Sequence, residues 1–481
     1  MRIPEKIRSA GVIHILGING QEGRAVFDYL LSSGLDIVGH ISVSKEDFFE
    51  SFNSFSDAYT KEESSAMAEK FLASGKILFK SDYGNGIKEG DAVIVPQAYM
   101  RYPLNNSIID MDKQGKIILI QAIEFAFSIA ECNTIGVTGT AGKSTTTGLI
   151  KNMLEFSGKE FYFSGNDREN KWDMFELEKI SRNGFAIFEI SHRHLIDLKQ
   201  SPDIAVMTNI FPHHLDDAGS FDKYIEIKKN IYRYQESGDF AVINQSLIDS
   251  EKIKEAGEIP SKILTFGGSK SDGRVEENCL VANFSDKEAR VALPDFKAYG
   301  KHNFENALAG MLAGLCAGLP EEAIEKGIKK WTGLKYRQEI IGEWNGVRVI
   351  NDGKSTDPLA SIEAVKAIPE IGSLILGGVR EGFTEGDFIP LGKAIAEKGI
   401  EQVFVFGSSK RAMAEDLVKA GVEANICTDI KDAVLKAVKK TASGKTLVFS
   451  PGCQSFDEFK DYRERAEIFN KEISRLFSGN K

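Results

Sequence analysis

Short apolar runs recur along the chain, and most are followed by a longer stretch whose apolar residues fall at helical spacing. "GVIHIL" (Gly11 to Leu16) reads as a first strand, and the glycines after it lead into the helix-like "RAVFDYLLSSG". "DIVGHISV" and "DAVIVP" continue this series as far as about residue 130. A second series opens with "NTIGVTG" and includes "GFAIFEIS" and "DIAVMTNI"; a third contains "VRVINDG", "SLILGG", "EQVFVFG" and "KTLVFSPG". Strands that alternate with helices predict parallel sheets with helical crossovers. Between the second and third series, "GIKKWTGLKYRQEIIGEWNG" replaces the helical pattern with polar, glycine-containing sequence and places a boundary near Trp331. The expected organisation is three α/β domains spanning 1–130, 131–331 and 332–481.

Length agrees, since 481 residues exceed one core and suggest about three domains of roughly 100–200 residues each. With 42% hydrophobic and 27% charged residues, the composition is that of an ordinary soluble protein. A net charge of −10 argues against a nucleic-acid partner, which calls for a basic surface. The cysteines (Cys132, Cys279, Cys316, Cys427, Cys453) form no CxxC pair and no zinc spacing, so they read as reduced thiols. The amino terminus lacks a signal-peptide core. The longest apolar stretch, "IILIQAIEFAFSIA" from Ile117, is too short to span a bilayer and contains Gln121 and Glu124. A cytoplasmic protein without membrane insertion is expected.

The candidate chemistry begins at "IGVTGTAGKSTTTGLIKNML". A strand ("NTIGV") and a helix ("STTTGLIKNMLEF") flank a turn from Thr138 to Lys143. That order puts backbone N–H groups and a helix N-terminus at a strand tip, where anions are favoured. Gly139 and Gly142 leave no Cβ in the way of a phosphate. Thr140 lies between them, Lys143 supplies a point charge, and Ser144 or Thr145 a hydroxyl for Mg²⁺. The strict G-x-x-x-x-G-K-[ST] pattern is not met, because its first glycine would fall on Val137. An ordinary strand–helix turn is the competing reading of these residues alone.

"TGTAGKSTT" resembles the loop of the Mur ligases, ATP-dependent enzymes that make amide bonds. Further ordered matches carry the resemblance: Glu189 in "FAIFEIS"; Asn209, His214, Leu215 and Asp216 in "NIFPHHLDD"; Tyr224 and Lys228 in "YIEIKKN". His302, Asn303 and Asn306 in "GKHNFENALA" and Arg337 in "GLKYRQE" extend it. Within the family, "VINDGKSTDPLAS" and "SPGCQSFDEFKDYRERAEIF" are most similar to the members that add D-glutamate to UDP-N-acetylmuramoyl-L-alanine. The resemblance implies a Rossmann-like first domain for the UDP-sugar, a P-loop-type central ATPase domain and a Rossmann-like C-terminal domain for the amino acid. It implies a peptidoglycan-precursor ligase that acts as a monomer and forms an acyl phosphate.

Residue roles follow from the same resemblance. Lys143, Glu189, His214 and Lys228 are the expected catalytic set, with one Mg²⁺ at Ser144 and Glu189 and a second at His214 and a carbamylated Lys228. The neighbouring His213 raises zinc as an alternative, which the oxygen-rich company disfavours. Asn303, Asn306 and Asp352 are expected at adenosine, and Arg337 and Lys354 at phosphate oxygens. Gly17, Asn19, Gly20, Gln21, Asn166, Ser191, Thr356, Arg380, Ser455, Phe456 and Tyr462 are expected at the other substrates.

Some segments depart from the family pattern. The loop "GINGQEGR" has the spacing G-x-x-G-x-x-G, yet Glu22 brings negative charge to the proposed anion site, and "VPQAYM" stands where S-P-G-I is usual. A different nucleotide-like ligand for this domain stays open. "EISHRHL" carries His192 and Arg193 in place of an S-S-F-Q-L type run, and Ala218 stands at a second family histidine. In "LILGGVREGFTEGDF" the acid-then-base order is reversed as Arg380–Glu381, which leaves open a different amino acid. A catalytically silent nucleotide-binding homologue is a third reading, opposed by the intact Lys143, Glu189, His214 and Lys228.

Overall fold

Five parallel strands of the computed structural model, β1 (Ile13–Leu16), β2 (Ile37–His40), β3 (Ile77–Leu78), β4 (Ala92–Val95) and β5 (Ile118–Gln121), form a sheet in the order β3-β2-β1-β4-β5. The strand order reverses between β1 and β4, and such a switch point opens a crevice at the carboxyl ends of the strands. The structure describes residues 1–54, 58–165, 170–212, 219–253, 259–298, 300–379 and 386–478. Strands β1 and β4 are buried along their whole length, which explains their continuous apolar runs. The apolar stretch from Ile117 divides into β5 and the Ala122–Ile129 helix. No described helix is long and apolar enough to cross a membrane.

The second sheet contains β6 (Asn133–Thr138), β7 (Phe161–Ser164), β8 (Phe185–Glu189), β9 (Ile204–Met207), β10 (Phe240–Asn244), β11 (Lys262–Phe266), β12 (Gly273–Glu276), β13 (Cys279–Phe284) and β14 (Lys287–Ala292). Its order is β14-β13-β12-β11-β10-β9-β6-β8-β7, parallel from β7 to β12 and antiparallel through the two hairpins β12–β14. Those hairpins are an extension that the strand–helix alternation did not predict. β6 sits between β8 and β9, so the tips of all three strands converge on the turn after Thr138.

The third sheet contains β15 (Glu339–Trp344), β16 (Val347–Asn351), β17 (Ile371–Gly377), β18 (Gln402–Phe406), β19 (Asn425–Ile426) and β20 (Thr446–Phe449). It is ordered β15-β16-β20-β17-β18-β19, with only the β15–β16 hairpin antiparallel. The chain divides into two compact units. One comprises Met1–Leu293 with Glu305–Lys329 and holds the first two sheets; the other comprises Pro294–Phe304 with Lys330–Lys481 and holds the third.

Candidate active site

β6 delivers the chain to the buried Thr138, and the Lys143–Ser157 helix leaves after four intervening residues. Gly139 and Gly142 take φ of +155° and +85° in the turn between. A Cβ on Gly139 would run into the Thr208 side chain, and one on Gly142 into the Asn306 amide. Both glycines are therefore required for conformation and for space. The loop is fastened from β9: Thr140 N donates to Asn209 O (2.9 Å), Ala141 N to Asn209 Oδ1 (2.8 Å) and Thr208 Oγ1 to Ala141 O (2.6 Å). The Tyr224 hydroxyl lies 3.3 Å from Thr140 Oγ1. Asn209 and Tyr224 thus hold the shape of the loop, whereas Thr208, equally placed, carried no sequence signal.

Two lysines converge on one carbonyl. Lys143 folds back so that Nζ donates to Gly139 O (3.0 Å) and Thr140 O (3.1 Å). Lys228, from the Phe221–Arg233 helix, donates to the same Gly139 O and to Thr138 Oγ1, each at 2.9 Å. Only 1% of Lys228 is exposed. Burial lowers its pKa well below that of a free lysine; Lys143 lowers it further, while Glu189 pulls the other way. Glu189 ends β8 and is itself buried. Ser144 and Thr145 stand in the first turn of the loop helix, half-buried, and the Asn306 side chain lies against Gly142.

At the β1–β4 switch point lies a cavity of about 640 Å³. Gly17, Asn19, Gly20 and Gln21 line it from the glycine loop, and Pro96, Gln97, Ala98 and Tyr99 from the "VPQAYM" segment. Gly165 also lines it, and a Cβ there would come within 2.5 Å of the Glu189 Cβ. The cavity therefore runs up to the strand end that carries Glu189. Beneath the loop, the buried Arg24 donates to Asn19 O (2.9 Å) and stacks 3.8 Å over the Phe52 ring. The Glu22 carboxylate, expected to bring negative charge to the anion site, accepts from Gln97 N (2.8 Å) and faces His194 Nε2 (3.0 Å). Ser191 Oγ donates to Gln97 Oε1 (2.6 Å).

In the second unit, the two segments expected at the amino acid come together. Asp352 Oδ2 accepts from Ser355 Oγ (2.5 Å) and Ser450 Oγ (2.7 Å), and Oδ1 from Gln338 N (3.0 Å). Burial raises this carboxyl to about 6, with its hydrogen bonds and the nearby Arg337 opposing. Lys354 lies 5.4 Å over the ring of Tyr462. Ser455 is buried, Thr356 half-buried and Phe456 64% exposed. Arg465, fully buried, donates to the carbonyls of Gly377, Cys453, Gln454 and Gly353 at 3.0–3.3 Å and so ties the ends of three loops together. Its position in the last helix did not mark it as such.

Asn303 belongs to the second unit with Arg337, Asp352 and Lys354, and Asn306 to the first. Asn166, His214 and Arg380 lie outside the described residues, as do His213, Ala218 and Glu381. Among the described residues, no three His, Cys, Asp or Glu side chains group as a metal site.

Residues 137–314 match the Mur ligase middle domain. The UDP-N-acetylmuramoylalanine–D-glutamate ligase of Natranaerobius thermophilus is 32% identical over 389 residues, covering 78% of this chain and 82% of that protein. Its namesake from Symbiobacterium thermophilum is 31% identical over 363 residues, covering 74% and 78%. Among solved structures, the UDP-N-acetylmuramate–alanine ligase of Thermotoga maritima superposes with a TM-score of 0.57 at 18% identity, over 96% of this chain and 99% of that one. A 32% identical relative matched over four-fifths of its length, together with the middle-domain match on the phosphate-loop sheet, settles the family: the chain belongs to the Mur ligases.

Proposed function

We propose that the chain joins D-glutamate to UDP-N-acetylmuramoyl-L-alanine with hydrolysis of ATP to ADP and phosphate, a step in the synthesis of peptidoglycan precursors. The observation that carries this reading is the pair Lys143 and Lys228 on the Gly139 carbonyl, with the cavity at Gly165 reaching the Glu189 strand end. A carboxylate repels an amine and has no usable leaving group. Transfer of the γ-phosphoryl onto it gives an acyl phosphate that the amine attacks with loss of phosphate. The protein's part is to position groups and neutralise charge. Lys143 exchanges its loop carbonyls for the β- and γ-phosphates, and the N–H groups after Gly142 face the same anion.

The Ser144 hydroxyl and the Glu189 carboxylate are oxygen donors of the kind magnesium takes and would hold one ion; a second would fall to His214, which lies outside the described residues, with a Lys228 carbamate. Magnesium supplies charge neutralisation of the phosphoryl group. Burial favours the neutral Lys228 amine over its charged form, and the neutral amine is the species that would add to CO₂, releasing a proton and leaving an anionic oxygen ligand. In the first unit, the cavity residues Gly17, Asn19, Gly20 and Gln21 hold the UDP-sugar, with Asn166 and Ser191 toward its acid end. In the second, Thr356, Arg380, Ser455, Phe456 and Tyr462 are the residues for the amino acid, Asn303 and Asp352 those for adenosine, and Arg337 and Lys354 those for phosphate oxygens; in the first, Asn306 is a further residue for adenosine. The reading is of a cytoplasmic monomer.

The test is phosphate release from the intact chain. Release is expected only with ATP, magnesium, UDP-N-acetylmuramoyl-L-alanine and D-glutamate together. Equal release without either carbon substrate overturns the reading. A panel of amino acids run beside D-glutamate decides what the Arg380–Glu381 order does to specificity.

A further inference from the structure

Glu22, Gln97, Ser191 and His194 form a closed ring of hydrogen bonds. Gln97 N donates to Glu22 Oε2 (2.8 Å), and Ser191 Oγ donates to Gln97 Oε1 (2.6 Å). His194 N donates to Ser191 Oγ (3.3 Å), and Ser191 N donates to His194 Nδ1 (3.1 Å). Because Nδ1 faces an N–H donor, it must accept, and the imidazole proton sits on Nε2. That proton points at Glu22 Oε1, 3.0 Å away. His194 is completely buried, and Glu22 and Ser191 nearly so. The buried carboxylate is thus held by two directed bonds, from Gln97 N and His194 Nε2, and not left as a stray charge.

The ring joins two sites described separately above. Glu22 and Gln97 line the cavity at the switch point of the first sheet. Ser191 and His194 follow directly on β8, with Ser191 two residues beyond Glu189. We infer that Glu22 and His194 are positioning residues that set the floor of the acceptor cavity against the strand end carrying Glu189. They bring the acceptor's acid to the phosphoryl group without touching either. This rests on the proposed function, since it takes the cavity to hold the acceptor.

Three full-length variants test it. Glu22→Gln turns an amide N–H₂ toward one of two N–H donors; His194→Asn keeps an acceptor for Ser191 N but falls short of Glu22; His194→Gln still reaches Glu22 with an N–H. In Glu22→Gln and His194→Asn, KM for UDP-N-acetylmuramoyl-L-alanine is expected to rise about tenfold or more, as loss of a buried charge-assisted hydrogen bond implies. KM for ATP should stay within about twofold, and His194→Gln should recover most of the acceptor affinity. Unchanged acceptor KM in both Glu22→Gln and His194→Asn overturns the inference, as does an equal loss of ATP and acceptor affinity. If the unaltered chain turns over no such acceptor, the functional reading is what fails. The ring is then judged by ¹⁵N shifts of His194, where a protonated Nδ1 refutes it and a protonated Nε2 upholds it.

Discussion

At the scale of single residues, Lys228 shows where sequence stops speaking. "YIEIKKN" is a charged helical stretch, and nothing local distinguishes Lys228 from Lys229. Burial is a property of what packs on the helix, here the β6 tip and the loop carbonyl, so only family resemblance singled it out. Lys143 and the two loop glycines, by contrast, were legible, because a strand, a turn and a helix in that order already define an anion cradle. An expected outcome belongs to this scale. Protein equilibrated with ¹³C-bicarbonate at mildly alkaline pH should show a carbamate ¹³C resonance that disappears in Lys228→Met, together with a loss of turnover of about a hundredfold or more. A carbamate signal that survives the substitution assigns it elsewhere.

Among elements, the strands carrying the sites were readable and the edge of the second sheet was not. β1, β4, β6, β8, β9, β16, β17 and β20 are largely buried, each with an apolar centre, and their tips bear the loops. β12 to β14 are half-exposed and turn through Glu277–Asn278, both at positive φ, where the common Asn-Gly signal is missing. Asn345–Gly346 does carry that signal and closes the β15–β16 hairpin, inside the stretch read only as a boundary. The loop's geometry gives the prediction at this scale. Gly142→Ala forces a left-handed alanine, at about 1–2 kcal/mol, against the Asn306 amide, so ATP KM should rise about tenfold or more while the acceptor cavity is untouched. A variant with wild-type nucleotide affinity would mean the turn relaxes freely.

For the whole molecule, two buried groups, one in each unit, carry opposite responses to acid. In the first, Gly84 N donates to His40 Nδ1 (3.1 Å), the His40 and His14 rings share a 2.9 Å hydrogen bond, and His14 Nε2 meets Asp91 at 3.3 Å. Burial, then His14, holds His40 down at about 3, and burial lowers His14 too. The unfolded chain takes up protons near pH 6.5 that the folded chain refuses, so stability is intact above that value and falls below it. His40 alone removes about 3 kcal/mol by pH 4.5. In the second unit, Asp352 is raised to about 6, so the folded state binds its proton first. Its contribution grows by about 2 kcal/mol as pH drops from 7 to 4.5. Calorimetry should therefore show the transitions of the two units moving apart on acidification, with His40→Gln flattening the response of the first; parallel shifts would count against both assignments. A last consequence comes from Gly165, which lines the cavity of the first unit on one side and lies against the backbone and Cβ of Glu189 on the other. Any bulk added there displaces the strand end itself, so efforts to reshape the cavity for a different acid must work through other lining residues such as Val43, Tyr83, Tyr102 or Leu104 and leave that seam alone.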